Sequence, residues 1–389
     1  MERLIGATQN YAWGSKNLLA ALRNEPPAEQ PEAEIWYGAH PGASTLCEDG
    51  MSLLERIEAN PVGLLGQPIV DRFGPKLPFL LKLLAADSPL SIQAHPSIEQ
   101  AQAGFAAEEA AGIDRSDPRR SFRDDNHKPE LICALTPFEA LVGFRDADRT
   151  TALFEALEMS FIPSFEKQGP KKVVQWLLDG NRFDDEVDRL KFADFVQEMV
   201  DHTVRASAAY AGDEWADECA LIGRLAQKYP GDPGIIVAAM LNYVVLQPGE
   251  GLYLGAGNLH AYISGLAVEI MANSDNVLRG GLTPKHVDVP NLLNVVLPDA
   301  FEPSLVQVDS DGRYVTPAPE FELRRLSPAI QPQIEGPSIV LCTGGVIVIE
   351  NEDGASLKLC PTEACWFPAG ERGKVANFDG DGWLAAVGS

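Results

Sequence analysis

The chain has 389 residues with 31 basic and 56 acidic side chains, a formal net charge of −25, and 45% hydrophobic content. This length predicts two or three folded units rather than one core, and the acidic excess excludes a nucleic-acid partner, whose phosphates demand a basic face. No apolar run approaches the roughly 18 residues of a membrane span, the N-terminal MERLIGATQNYAWGS carries no secretory pattern, and six scattered cysteines without a CxxC pair fit reduced thiols in a cytosol.

In chain order, residues 1–145 read as strands and turns, with aromatics among turn formers at Tyr11–Gly14 and Glu34–Pro41. The apolar run Leu77 to Leu84 carries Lys82, which on spacing alone reads as an edge-strand lysine with its head in water. In Ser91–Pro96, strand alternation puts Ser91, Gln93 and His95 on one face, a polar row unusual for a core. Gln100 to Asn126 reads as a helix and a charged loop with Arg119, Arg120 and Arg123 exposed. Next, Pro129 fixes a rigid bend between Lys128 and Glu130.

From Asp146 to Gln247 the pattern turns helical: Phe192, Phe195, Val196 and Met199 recur at i, i+3, i+4, i+7, as do Trp215, Cys219, Ile222 and Ala226. His202 reads as a surface or packing residue. Strand character returns at Gly249 and runs to the end, through Ile339–Leu341, Val346–Ile349 and Cys365–Phe367, with a turn at Asn351–Gly354. The expected fold is therefore mainly β with an α-helical insert. Its units are a discontinuous catalytic β domain (1–145 and 248–300), the insert (146–247) and a C-terminal β domain (301–389).

The stretch Gly249 to His286 is the densest in chemistry. A glycine-rich turn (Gly255, Gly257, Asn258) leads into His260 and Tyr262, Glu269 interrupts an apolar run, and Asp275, Arg279 and Lys285 follow. An acid, an imidazole and two cations this close point to an anionic substrate; on so acidic a chain, local cations matter. Gly249, Gly257 and His260 resemble the second motif of cupin (jelly-roll) barrels, G-x5-P-x-G-x2-H, with Gly255 in the proline's place. Pro368 to Gly373 repeats the turn with a glycine for the histidine, so tandem cupin-like barrels are expected, the second lacking the ligand. In the first cupin motif's place stands Gln93-Ala94-His95, which with His260 and either Glu99 or Glu130 makes a mixed N/O set suited to zinc, or to manganese, cobalt or iron.

Along essentially its whole length the chain resembles the type I mannose-6-phosphate isomerases. The resemblance rests on NYAWGS (10–15), AEIWYGAHP (33–41), PLSIQAHP (89–96), NHKPELICALTPFEALVGFR (126–145) and GNLHAYISGLAVEIMANSDNVLRGGLTPKHVDV (257–289). It implies a cytosolic, monomeric enzyme that interconverts mannose 6-phosphate and fructose 6-phosphate on the route to GDP-mannose, free of membrane and nucleic acid. It also implies one Zn2+ per chain, held by Gln93, His95, Glu130 and His260, which decides for Glu130 over Glu99. Arg279 matches the family's catalytic arginine, and Lys285 lies on its substrate loop. Ser91, Lys128, Glu269, Tyr262 and Asp275 match pocket residues, and Trp13 and Glu34 stand in motifs nearby.

Moving a carbonyl from C1 to C2 passes through a cis-enediol(ate). That asks for a cation at the developing oxyanion, for which Arg279 is the candidate, and for an acid/base among Glu269, Lys128, Tyr262 and Asp275. Ser91, Arg279 and Lys285 are suited to the phosphate, with Trp13 and Lys82 as further substrate-binding candidates. A metal-dependent cupin dioxygenase would not require Arg279 and Lys285, and a non-enzymatic sugar-binding cupin would not require the metal ligands.

Overall fold

The computed structural model describes residues 1–159, 169–179 and 185–388. Two antiparallel sheets, of ten and nine strands, carry the chain, with helices packed on the first. The fold is mainly β with a helical insert. Strand pairing leaves both sheets with free edges rather than closing them into barrels. Among the described residues, no helix is long and apolar enough to cross a membrane.

The strand His260–Ala272 organises the ten-stranded sheet. Its first half pairs with Phe138–Phe144 and sets His260 opposite Gln93 of the short strand Ile92–Ala94. From Gly265 onward it lies between Phe79–Ala86 and Glu130–Ala134. The change of partners comes at Gly265, whose φ of +123° suits glycine alone; a Cβ there would stand 2.7 Å from the Pro137 carbonyl oxygen.

Alternation along these strands separates core from site. Ile92, Ala94, Ala261, Ile263 and Leu278 turn into one hydrophobic cluster with the insert's Val173, Met199, Ile222, Leu225 and Ile235. Each buried Leu or Ile contributes roughly 1.5–3 kcal/mol, so the register is firmly held. The opposite face of the same strands presents Gln93, Tyr262 and Arg279 to the pocket and His260 to the buried cluster with His95 and Glu130.

The insert begins at the helix Ala147–Ala156, capped by Asp146 on the amides of Asp148 and Arg149. Pro170–Leu178, Glu186–Ala209, Ala216–Lys228 and Gly234–Ala239 follow. Trp215, Cys219 and Ile222 are buried as their spacing predicts. The earlier stripe is rotated: Val196, Met199 and Val200 are buried, whereas Phe195 is 41% exposed and meets Trp176 edge-on at 6.0 Å. His202 packs, its Nε2 3.0 Å from the Leu157 carbonyl.

In the nine-stranded sheet, Ser338–Asn351 and Arg372–Ala386 form the centre. The N-terminal strand Glu2–Ile5 joins it, pairing with Ala364–Phe367, so the first residues of the chain complete the last sheet. Gly373, standing where a cupin histidine would, has no room for a side chain: a Cβ would meet the Phe367 ring at 2.6 Å.

Three expectations are corrected. The first 145 residues also hold helices, Leu53–Ala59 among them, opened by a Ser52/Glu55 capping box that is legible in the sequence. Arg120 is buried, its guanidinium on Glu108 and Glu109 at 2.9 and 2.7 Å. Lys82 is not at an edge: its strand, buried at every position, runs between two others, with Trp36 and Glu269 as its ladder partners.

Candidate active site

A buried cluster of His95, Glu130 and His260 lies at the base of the site, their ligand-capable atoms all within 4.8 Å of one another. His95 Nδ1 faces the Asn276 carbonyl at 2.6 Å and His260 Nδ1 faces that of Asn258 at 3.0 Å. A carbonyl only accepts, so both rings carry their proton on Nδ1 and turn a lone pair on Nε2 inward. Those two Nε2 atoms are buried without a hydrogen-bond partner, 3.3 and 3.4 Å from the two Glu130 oxygens. Two orphaned lone pairs converging on a carboxylate are what a divalent ion satisfies, with the carbonyls orienting the rings from behind. Gln93 faces both His260 and Arg279 across the ladder. The three clustered groups suit a divalent ion such as zinc, and Gln93, which lines the pocket, carries a neutral amide oxygen of the donor type that could join them.

The charges around the cluster favour that state. Burial and then Lys128 push the His95 imidazole down to about 4, so it stays neutral. Burial acts to raise Glu130, but Lys128 and His95 pull its carboxyl well below the usual range. Lys128 Nζ lies 2.8 Å from Glu130 Oε1, and the Tyr262 hydroxyl donates to Oε2 at 3.2 Å. Burial, with Glu130 next, holds the Tyr262 hydroxyl well above its ordinary value, so it remains a donor.

Register builds the second layer. Glu269 stands opposite Lys82, and Glu34, opposite Leu84, is its diagonal neighbour. Lys82 Nζ reaches Glu269 at 2.9 Å and Glu34 at 3.2 Å, lies over the Trp36 ring at 5.3 Å, and Trp36 Nε1 donates to Glu34. Burial disfavours the ammonium, yet Glu269 and Glu34 overcome it and raise Lys82. One ammonium shared by two buried acids leaves Glu269 above its usual range, through burial first and Glu130 among its neighbours. Lys82→Met should therefore cost about 3 kcal/mol by leaving two buried carboxylates without a counter-ion. With Glu269 raised further, the folded variant binds a proton that the unfolded chain releases near 4.5. Its stability should be greatest below that pH and fall as pH rises through the raised value; denaturant titrations from pH 4 to pH 8 check the slope.

Above these layers opens a pocket of about 540 Å³ lined by Trp13, Lys82, Ser91, Gln93, Lys128, Glu130, Tyr262, Glu269, Asp275, Arg279 and Lys285. The structure thus gathers the residues that the resemblance assigned to the site, with His95 and His260 in the buried cluster beside it. Glu99 stays outside, in the first turn of Ile98–Ala110, accepting from Ser97. A larger cavity of about 650 Å³ lies far off beside the 329–337 loop and lines no such cluster. His40, unremarked in the sequence reading, also lines the pocket. Its Nδ1 accepts from the Gly42 amide at 3.0 Å, so its proton sits on Nε2, 3.5 Å from Asp275 Oδ1. No local pattern signals this contact, because it joins segments remote in sequence.

Fold and site define a mainly β, cupin-type protein with a metal-capable cluster beneath a cation-bearing pocket. The family profile of the phosphomannose isomerase type I catalytic domain matches residues 1–147. The chain is 36% identical over 408 residues to mannose-6-phosphate isomerase of Salmonella typhimurium, spanning 100% of this chain and 99% of that protein. It is 40% identical over 307 residues to the Escherichia coli enzyme, covering 75% and 74%. Crystal structures agree. A lysine-to-alanine variant of the Salmonella typhimurium phosphomannose isomerase superposes with a TM-score of 0.87 at 34% identity. A mannose 6-phosphate isomerase bound with zinc and yttrium does so with 0.84 at 34%, each covering 100% of both chains. The chain belongs to the type I phosphomannose isomerase family.

Proposed function

We propose that the chain interconverts D-mannose 6-phosphate and D-fructose 6-phosphate through a cis-enediolate, with one zinc ion held by Gln93, His95, Glu130 and His260. The observation that carries this reading is the pair of orphaned imidazole nitrogens facing Glu130 under a pocket that also offers Arg279 and Lys285. Family membership supports the isomerase over a dioxygenase or a sugar-binding module. Six free thiols agree with a reducing cytosol.

A divalent ion held by Gln93, His95, Glu130 and His260 would supply positive charge to stabilise an oxyanion. The protein's own groups do the rest. Arg279, carried by the strand Leu278–Gly281 across from Gln93, brings a cation to the developing oxyanion. Lys285 meets the phosphate from the rim.

Among the acid/base candidates, Tyr262 and Lys128 are engaged by Glu130 and Glu269 by Lys82. Asp275 is the freest, half-exposed in the pocket beside neutral His40, its backbone amide held by Asp124 at 2.7 Å. We assign it the transfer of the carbon-bound proton. In an assay coupling fructose 6-phosphate formation to a dye, the protein should turn over mannose 6-phosphate, and Asp275→Asn should lower kcat by roughly 10²- to 10⁴-fold. No turnover by the metal-loaded protein sinks the proposal; near-normal turnover by the variant removes Asp275 alone.

A further inference from the structure

The sequence reading set Arg123 aside as an exposed loop charge, and exposed it is, but its main chain is tied to the segment 274–279 that walls the pocket. Asn276, fully buried, accepts from the Arg123 amide at 2.7 Å through Oδ1 and donates through Nδ2 to the carbonyls of Asp124 and Asn126, each at 2.8 Å. The same residue's own carbonyl orients His95. One side chain thus ties the 123–126 loop to the segment that carries Arg279 three residues later.

The three cations Arg123, Arg279 and Lys285 act on one another there. Burial first and then Arg123 lower Arg279, and burial, Arg279 and Arg123 lower Lys285. Among the described residues, no side chain of the three has a hydrogen bond or ion pair. Asp124, next to Arg123 in the chain, is already engaged: it accepts from the Ser274 hydroxyl at 2.8 Å and from the Asp275 amide. On a chain of net charge −25, three mutually repelling cations with no carboxylate paired to any of them favour the approach of a dianion.

We propose that Arg123 is a substrate-binding residue that, with Lys285, takes the phosphate of the sugar phosphate, leaving Arg279 to face the reacting carbons. This rests on the isomerase reading but is separable from it. The Arg123 side chain is exposed and its anchorage is through the main chain, so its substitution leaves the Asn276 contacts in place.

The test uses the zinc-loaded full chain. Arg123→Gln should raise KM for mannose 6-phosphate about tenfold, the loss of one charge-assisted contact at a partly solvated site, with kcat within about threefold. Competitive inhibition by inorganic phosphate should weaken by a similar factor, and KM should rise less steeply with salt than in the wild type. Arg123→Lys should restore most of both, because a point charge suffices for attraction if not for a bidentate grip. Unchanged KM and unchanged phosphate inhibition in Arg123→Gln overturn the proposal. A wild type that binds phosphate but turns over no sugar phosphate overturns the isomerase reading instead, while calorimetric titration of phosphate into wild type and variant still decides the role of Arg123.

Discussion

Replacing Arg279 by alanine should lower kcat by roughly 10²-fold or more while substrate affinity stays within a few-fold of wild type, the signature of a charge used mainly in the transition state. The geometry motivates the split. Arg279 sits on a strand rather than a loop, across from Gln93, so its backbone and the side from which its side chain enters the pocket are set before substrate arrives. It has no acid partner among the described residues, so nothing need be broken for it to meet a developing oxyanion. Arg279→Lys should recover only part of the loss, because the planar fork reaches two oxygens where an ammonium meets one. Steady-state kinetics on the forward reaction read both effects. In Arg279→Ala chemistry becomes slow, and [2-²H]mannose 6-phosphate should then show a primary isotope effect on kcat. A raised KM with unaltered kcat would move Arg279 to the phosphate, and near-normal values of both would leave the oxyanion to the metal site.

The site was legible in the sequence wherever alternation along one strand decides which side chains share a face. Ser91, Gln93 and His95 illustrate this, since Ile92 and Ala94 are drawn into the helical core and the polar row follows automatically. Spacing left Glu99 and Glu130 as rival acids; the resemblance chose between them, and in the structure a capping box commits Glu99's neighbours Ser97 and Gln100 to a helix start. What stayed hidden depends on residues from other strands and loops. Lys82 looks like a solvated lysine until Glu34 and Glu269 are placed beside it by register. Arg120 looks like any charge in a loop until Glu108 and Glu109 on the preceding helix take it up. The same limit applied to His40, which lines the pocket, and to Arg123, whose amide Asn276 ties to the segment that carries Arg279.

The fold follows a similar division. The helical insert announced itself by period, although the stripe beginning at Phe192 is turned toward Val196, Met199 and Val200, the last two of which join the sheet-backed core. Aromatic and turn-forming residues signalled strands in the first part of the chain and drew attention from short helices such as Leu53–Ala59 and Gln67–Phe73. Nothing local could tell that Glu2–Ile5 would pair with Ala364–Phe367, since a strand's partner is chosen by the edge it can reach rather than by its own residues.

Metal content gives the largest expected change. Purified wild type should hold about one zinc per chain by elemental analysis, and His260→Ala should hold less than about a tenth of that, since losing one of four ligands costs on the order of 10²-fold or more in affinity. The cluster explains the severity. His260 Nε2 is buried without a protein partner, and its removal opens one side of a set in which Glu130 is already shared with Lys128 and Tyr262. Glu99→Ala should keep its metal, because Glu99 points away at a helix start. Stability supplies a readout independent of turnover: zinc added to chelator-stripped wild type should raise Tm in a concentration-dependent way, as any ligand of the native state does, and should leave His260→Ala nearly unmoved. Activity should vanish with the chelator and return with zinc in the wild type alone. Full zinc occupancy in His260→Ala, with the same Tm response as wild type, would show that the ion sits elsewhere and that the orphaned imidazoles serve another end.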